Sequence, residues 1–116
     1  MSDKPLFWLG SLRRDVGAFP TDAPRVAGLQ FRRVQQGLEP NDWKPMPDVG
    51  PGVREIRVHA GVEHRIFYVA QFTEGIYVLH AFEKRSRKTP QRDVKVGRDR
   101  FRALLIRRQT VDATTE

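Results

Sequence analysis

The sequence contains no cysteine, which excludes disulfide bonds and cysteine-ligated metal. No apolar run approaches the roughly 20 residues that a membrane-spanning helix needs, and no signal peptide precedes the first predicted element. We therefore expect a cytoplasmic protein with no membrane partner. A chain of 116 residues can bury one compact core, so the sequence predicts a single domain over 1–116 with a frayed tail at 109–116.

Several sequence signatures of cofactor and metal chemistry are also missing. The chain has neither a G-x-x-x-x-G-K-[ST] loop nor a G-x-G-x-x-G turn, and it offers no convincing Ser-His-Asp set. Its three histidines, His59, His64 and His80, do not have the spacing of metal ligands. We expect no cofactor, no small-molecule cofactor site and no metal site.

Acidic residues are scarce relative to basic ones, with 14 Asp and Glu against 21 Lys and Arg and a net charge of +7. The excess lies in the second half, where eleven Lys and Arg fall between Lys84 and Arg108 against only Asp93 and Asp99. A basic domain of this kind suggests a polyanionic partner or an acidic protein partner. A solvated basic helix face would give the same count, so charge alone leaves both interpretations open.

Apolar periodicity predicts an α+β fold with the order β-α-α-β-β-β-α. An aromatic-rich run at Leu6–Leu9 is too short for a helix and favours a strand. Helical stripes follow over 12–18 and from Asp22 to Gly37, and they predict a helical hairpin that packs on the sheet. Residues 39–52 are rich in proline and glycine and predict a loop in which Trp43 packs on the core.

Three runs rich in Val, Ile, Phe and Tyr between Val53 and Phe82 predict an antiparallel meander, with turns at His59–Glu63 and Thr73–Gly75. Strict alternation places Arg57 on one face with Glu55, and it places Arg54 on the other face. The last element is a helix on the same small antiparallel sheet. Thr89 is its expected N-cap, and Pro90 is its expected first residue.

Cations interrupt these strands, and such a cluster suits metal-independent cleavage of RNA. In that reaction the 2′-hydroxyl attacks the adjacent phosphate while cations stabilise the developing charge. Arg57 and Arg65 lie on adjacent strands and can hold one phosphate if the register allows it. Lys84 and Lys88 follow the third strand, and crowding by Arg85 and Arg87 is expected to lower the pKa of a lysine there.

Two further residues have two interpretations each. Glu55 is either a general base or the ion-pair partner of Arg57, and His80 is either an acid or base or a hydrogen-bonded residue of a half-buried strand. Arg54, Arg85 and Arg87 are candidate RNA-binding residues. Cation clusters occur on many binding surfaces, so spacing alone does not separate a nuclease from a phosphate-binding module.

Four segments carry a resemblance to a known family. They are G-V-R-E-I-R-V (52–58), H-R-I-F-Y-V (64–69), V-L-H-A-F-E-K-R-S-R-K-T-P (78–90) and the basic helix that follows. Together with the F-P joint at Phe19-Pro20, they resemble the RelE/HigB-like type II toxins, in particular the phage-derived branch. The resemblance extends from Leu6 to about Leu105.

The resemblance implies a RelE-like, microbial-RNase-type toxin fold and ribosome-dependent cleavage of mRNA, which inhibits translation. It also implies a cognate antitoxin, commonly a helix-turn-helix DNA-binding protein. Arg65 matches the family's central-strand arginine, Arg57 the basic position of the preceding strand, and Lys84 and Lys88 the basic residues after the last strand. These four are the expected catalytic residues.

The chain departs from that pattern in one respect. Many relatives carry a catalytic tyrosine or histidine near the C-terminal end of the domain, and this sequence has neither after Lys84. Lys84 or Lys88 taking over the proton transfer is a hypothesis. Two alternative functions stay open: a gyrase poison of the same fold, like the ParE branch, and a non-catalytic nucleic-acid-binding prophage module.

Overall fold

The computed structural model describes residues 3–115, with side chains described from residue 3 to residue 110. The predicted tail at 109–116 therefore lies mostly outside the described side chains. The fold is α+β, as predicted. Its elements in chain order are β1 (Leu6–Trp8), α1 (Leu12–Gly17), α2 (Ala23–Gln35), β2 (Trp43–Pro45), β3 (Val53–Ala60), β4 (Val62–Phe72), β5 (Gly75–Glu83) and α3 (Gln91–Thr115).

The five strands form one sheet in the order β1-β5-β4-β3-β2. The prediction of an antiparallel sheet is wrong for one edge, because β1 runs parallel to β5 and pairs Phe7 with Tyr77. The predicted loop at 39–52 also contains a strand, since β2 pairs with β3 from Trp43 opposite Ile56 to Pro45 opposite Arg54. A strand of only three residues inside a proline-rich segment is too short to show the two-residue alternation by which strands are recognised in a sequence.

Helices cover both faces of the sheet. The hairpin of α1 and α2 packs on one face, where Phe31 contacts a core that includes Ile56, Ile66 and Val78. Helix α3 packs on the other face, and Phe101 and Leu104 join a second core that includes Phe67. No helix within the described residues is both long and apolar enough to cross a membrane.

A bulge in β5 changes the predicted alternation of that strand. Phe67 lies opposite His80, but Tyr68 lies opposite Val78, so Leu79 is an extra residue on β5. Arg100 of α3 donates a hydrogen bond to the Leu79 carbonyl at 3.0 Å. Strict alternation would place His80 on the same face as Val78, but after the bulge His80 points towards α3 and its ring stacks on that of Phe82.

The turns also differ slightly from the prediction. The expected turn at His59–Glu63 shrinks to Gly61, whose φ of 82° is readily adopted only by glycine, so His59 and Glu63 are paired strand residues. Helix α3 begins one residue later than predicted, at Gln91. Thr89 was the predicted N-cap, but its hydroxyl donates a hydrogen bond to Glu55 instead.

Candidate active site

The register of β3 and β4 answers the question that the sequence left open. Arg57 lies directly opposite Arg65, and both are on the face that α3 covers. Glu55 precedes Arg57 on this face, and Lys84 follows β5, where its backbone N–H donates to the Glu63 carbonyl at 2.8 Å. We call Lys44, Glu55, Arg57, Arg65 and Lys84 the Glu55 cluster. Like charges directly opposite on neighbouring strands repel, so this pairing requires a compensating anion.

Glu55 supplies that anion from a fully buried position. Its Oε1 lies 3.5 Å from Arg65 Nε, 3.8 Å from Arg57 Nε and 3.9 Å from Lys44 Nζ. These separations are too long for hydrogen bonds, so the three cations interact with the carboxylate as ion pairs. Thr89 donates to Oε2 at 3.1 Å and thereby connects the segment after β5 to the cluster. The geometry supports the ion-pair interpretation of Glu55 over that of a general base.

The two arginines differ in accessibility. The Arg65 side chain is 8% exposed, and its Nη1 donates to Glu63 at 3.0 Å and to the His64 carbonyl at 3.1 Å. The Arg57 side chain is 34% exposed, and within the described residues its one other ion pair is with Asp42, at 3.8 Å. Arg57 can therefore turn its guanidinium towards an incoming phosphate, while Arg65 is held in place as a fixed positive charge.

Lys84 is buried beside these arginines. Burial, together with the nearby charge of Arg65, lowers the pKa of Lys84, and the carboxylate of Glu55 opposes that change. The lowered pKa agrees with the prediction, but the predicted cause was wrong. Arg85 and Arg87 are exposed, and the cations that act on Lys84 come from the sheet. Sequence proximity suggested the wrong neighbours because the cluster forms across three strands.

The remaining cations of this segment lie outside the cluster. Arg85 pairs with Glu83 at 2.8 Å. Arg87 and the exposed Lys88 line a groove of about 340 Å³, which Lys44 and Thr89 also border. The groove therefore adjoins the Glu55 cluster, but Lys88 itself makes no ion pair with Glu55 among the described residues.

Arg54 and His80 are not brought into the cluster. Arg54 is on the opposite face of the sheet, where its guanidinium lies 4.1 Å from the centre of the Trp43 ring. His80 Nε2 is hydrogen-bonded to Asp93 at 2.8 Å, and burial lowers the pKa of His80. His80 thus connects β5 to α3, which supports its interpretation as a hydrogen-bonded strand residue.

The sequence reasoning missed three residues at the open end of the cluster. His59 lies between Asp42 and Glu63, with Nδ1 2.7 Å from Glu63 Oε2 and Nε2 in a short hydrogen bond with Asp42. These bonds, first that to Asp42 and then that to Glu63, raise the pKa of His59. Alternation along β3 puts His59 on the face of Glu55 and Arg57, and it could have identified this residue had 59–63 not been assigned to a turn.

Comparison with known proteins gives a single finding. Residues 14–102 match the family model described as "Phage derived protein Gp49-like (DUF891)", a family known as HigB/RelE-like, toxin-type phage proteins. No curated protein and no solved structure matches the chain. The match begins within α1, includes α2 and the strands that carry the Glu55 cluster, and covers well over half of the sequence. This chain belongs to the phage-derived Gp49-like family.

Proposed function

We propose that this protein is the toxin of a type II toxin–antitoxin system and that it cleaves mRNA on the ribosome. The observation that carries the proposal is the Glu55 cluster. It holds two opposed arginines and a buried lysine on the sheet face that α3 covers, and one of the arginines is accessible. Family membership supports a toxin-like module, and the cluster supports phosphate as the group on which it acts.

In the proposed reaction, Arg57 binds the scissile phosphate through its guanidinium and Arg65 adds a fixed positive charge beside it. Both stabilise the negative charge that develops on the phosphate oxygens as the 2′-hydroxyl attacks. Lys84 accepts the proton of that hydroxyl, because a lowered pKa makes the neutral amine available nearer neutral pH. The exposed cations Arg85, Arg87 and Lys88 bind the flanking RNA backbone.

The other elements of the proposal follow from the same family. A cognate antitoxin, commonly a helix-turn-helix protein in this branch, would keep the toxin inactive in the cytoplasm. The groove that Lys44, Arg87 and Lys88 border is electrostatically suited to single-stranded RNA, because a cationic groove follows a phosphate backbone without reading its sequence.

The test is induction of the chain in a bacterial host, with and without the neighbouring gene, followed by mapping of mRNA 5′ ends. We expect growth arrest with new cuts in translated mRNAs, and we expect Arg57→Ala to abolish both. Arg57 is preferred to Arg65 because the latter is buried, and its loss would confound activity with folding. Arg92→Ala is the matched control, since that arginine is 87% exposed on α3 and outside the cluster.

Two outcomes would overturn the proposal. Arrest with intact mRNA and damaged DNA would assign the chain to the gyrase poisons. A folded protein that causes no arrest at all would indicate a binding module without activity.

A further inference from the structure

The proposed reaction needs a proton donor for the leaving 5′-oxygen, and the Glu55 cluster alone does not provide one. Among the side chains described on this face, His59 is a titratable group that remains half exposed, and it lies at the open end of the two central strands. His64 is buried on the other face of the sheet and stacks on Phe19. His80 is engaged by Asp93 under α3.

The register places His59 next to the phosphate-binding arginines. The pair formed by His59 and Glu63 is the next same-face pair after Arg57 and Arg65. Two residues along a strand cover about 7 Å, so the imidazole lies within reach of a phosphate bound to Arg57. Lys84 adjoins the same pair from the side of β5, because its N–H donates to the Glu63 carbonyl. A proton acceptor and a proton donor thus flank the arginines from different strands.

The carboxylates around His59 also contact the two arginines. Glu63 accepts from His59 through Oε2 and from Arg65 through Oε1, at 2.7 and 3.0 Å. Asp42 accepts from His59, and its other oxygen lies 3.8 Å from Arg57. A phosphate that binds Arg57 competes with Asp42 for the guanidinium. Glu63 is also held by the hydrogen bond from Arg65, whereas Asp42 faces the guanidinium that the phosphate would bind, so the bond from His59 to Asp42 is the one exchanged for a bond to substrate.

From this geometry we propose that His59 is the general acid of the site, with Glu63 orienting its ring. The inference rests on the proposed RNA cleavage. The 2′-oxygen bonds to phosphorus as Lys84 takes its proton, and the bond from phosphorus to the 5′-oxygen breaks as the Nε2 proton of His59 passes to that oxygen. The products are a 2′,3′-cyclic phosphate and a 5′-hydroxyl, and the two proton transfers balance. The hydrogen bonds to Asp42 and Glu63 raise the pKa of His59, which favours the protonated ring that a general acid needs.

The test is single-turnover cleavage by the full chain on ribosomes programmed with an mRNA whose cut site has been mapped. One mRNA has the natural bond, and in the other sulfur replaces the bridging 5′-oxygen, because a thiolate leaves without receiving a proton. We expect His59→Gln to slow cleavage of the natural bond about 10²–10⁴-fold and cleavage of the sulfur bond less than about tenfold. Lys84→Ala should slow both, and Arg92→Gln should slow neither.

An equal loss on both bonds would overturn the proposal and leave His59 a positioning residue, and no loss on either bond would exclude any role in catalysis. A wild-type chain that cleaves neither bond would overturn the proposed function and this inference with it. A wild-type chain that cleaves while His59→Gln shows no difference between the bonds would overturn the inference alone.

Discussion

Replacing Glu55 by glutamine is the perturbation that addresses the architecture of the site most directly. The carboxylate is fully buried, and the change keeps its shape while removing the charge that Arg57, Arg65 and Lys44 share. Two of these cations, Arg57 and Lys44, are about a third exposed and regain solvation, so their share of the loss is small. Arg65 is 8% exposed and cannot do the same.

The expected magnitude follows from Arg65. Breaking a buried ion pair by removing one partner costs about 3–5 kcal/mol, because the remaining charge stays desolvated. Arg65 keeps its hydrogen bonds to Glu63 and the His64 carbonyl, which places the expected loss near the lower end, at about 3 kcal/mol. For a chain of this size that loss lowers the melting temperature by roughly 10–15 °C.

Thermal unfolding followed by circular dichroism measures this shift, and Glu39→Gln is the matched control. Glu39 pairs with Arg54 at 3.8 Å, a distance similar to those around Glu55, but its side chain is 64% exposed. We expect the control to change the free energy of unfolding by less than about 1 kcal/mol. If Glu55→Gln destabilised the protein no more than Glu39→Gln, the central role of Glu55 in holding the cations would be refuted.

Three further predictions concern packing and titration. Gly97→Ala should lower the free energy of unfolding by about 1–3 kcal/mol, because the new Cβ would lie 2.7 Å from the buried Phe67 ring. Gly28→Ala places its Cβ in open space and should raise the free energy of unfolding by up to about 1 kcal/mol. Urea titration of both variants measures these changes. The ion pair with Arg108 lowers the pKa of Glu74 to about 2. The stability that this pair adds is therefore present above pH 4.5 and is lost as the pH falls through about 2. The melting temperature of Arg108→Gln should differ from that of the wild type more at pH 5 than at pH 2. On the sulfur-substituted mRNA, which needs no proton from His59, the cleavage rate should rise with pH up to a Lys84 pKa below the ordinary 10.5. Glu55→Gln should move this limb to lower pH, because the carboxylate raises that pKa; an unmoved limb would exclude Lys84 as the base.

The order of the longer elements could be predicted from the sequence because each has a clear period. Runs of strand-forming residues predicted β3 and β4. The apolar stripe from Ala27 to Val34 predicted α2, which the structure places against the sheet. The bulge at Leu79 could not be predicted, since Ile76 to Phe82 alternates without a break in sequence. In the structure, Arg100 of α3 binds the extra carbonyl, a contact between distant residues that no local pattern shows.

The cations of the candidate site could be predicted from the sequence, but the residues that they contact could not. Arg57, Arg65 and Lys84 come together as expected, while Lys88 remains at the adjoining groove and Arg54 is on the other face. Glu55 contacts Thr89 and Lys44, which are distant from it in sequence, and no local pattern predicts either contact. His59 could have been identified from the sequence, because side chains two residues apart on a strand share a face, and Glu55, Arg57 and His59 follow that period.

The chemistry of the cut ends is the measurement that tests the central claim most directly. Purified protein is incubated with ribosomes programmed with mRNA, and the fragments are analysed at the new junction. Attack by the 2′-hydroxyl at the Glu55 cluster predicts an upstream fragment ending in a 2′,3′-cyclic phosphate and a downstream fragment beginning with a 5′-hydroxyl, both absent with Arg57→Ala. A 3′-hydroxyl paired with a 5′-phosphate, or intact mRNA with the wild-type protein, would contradict it.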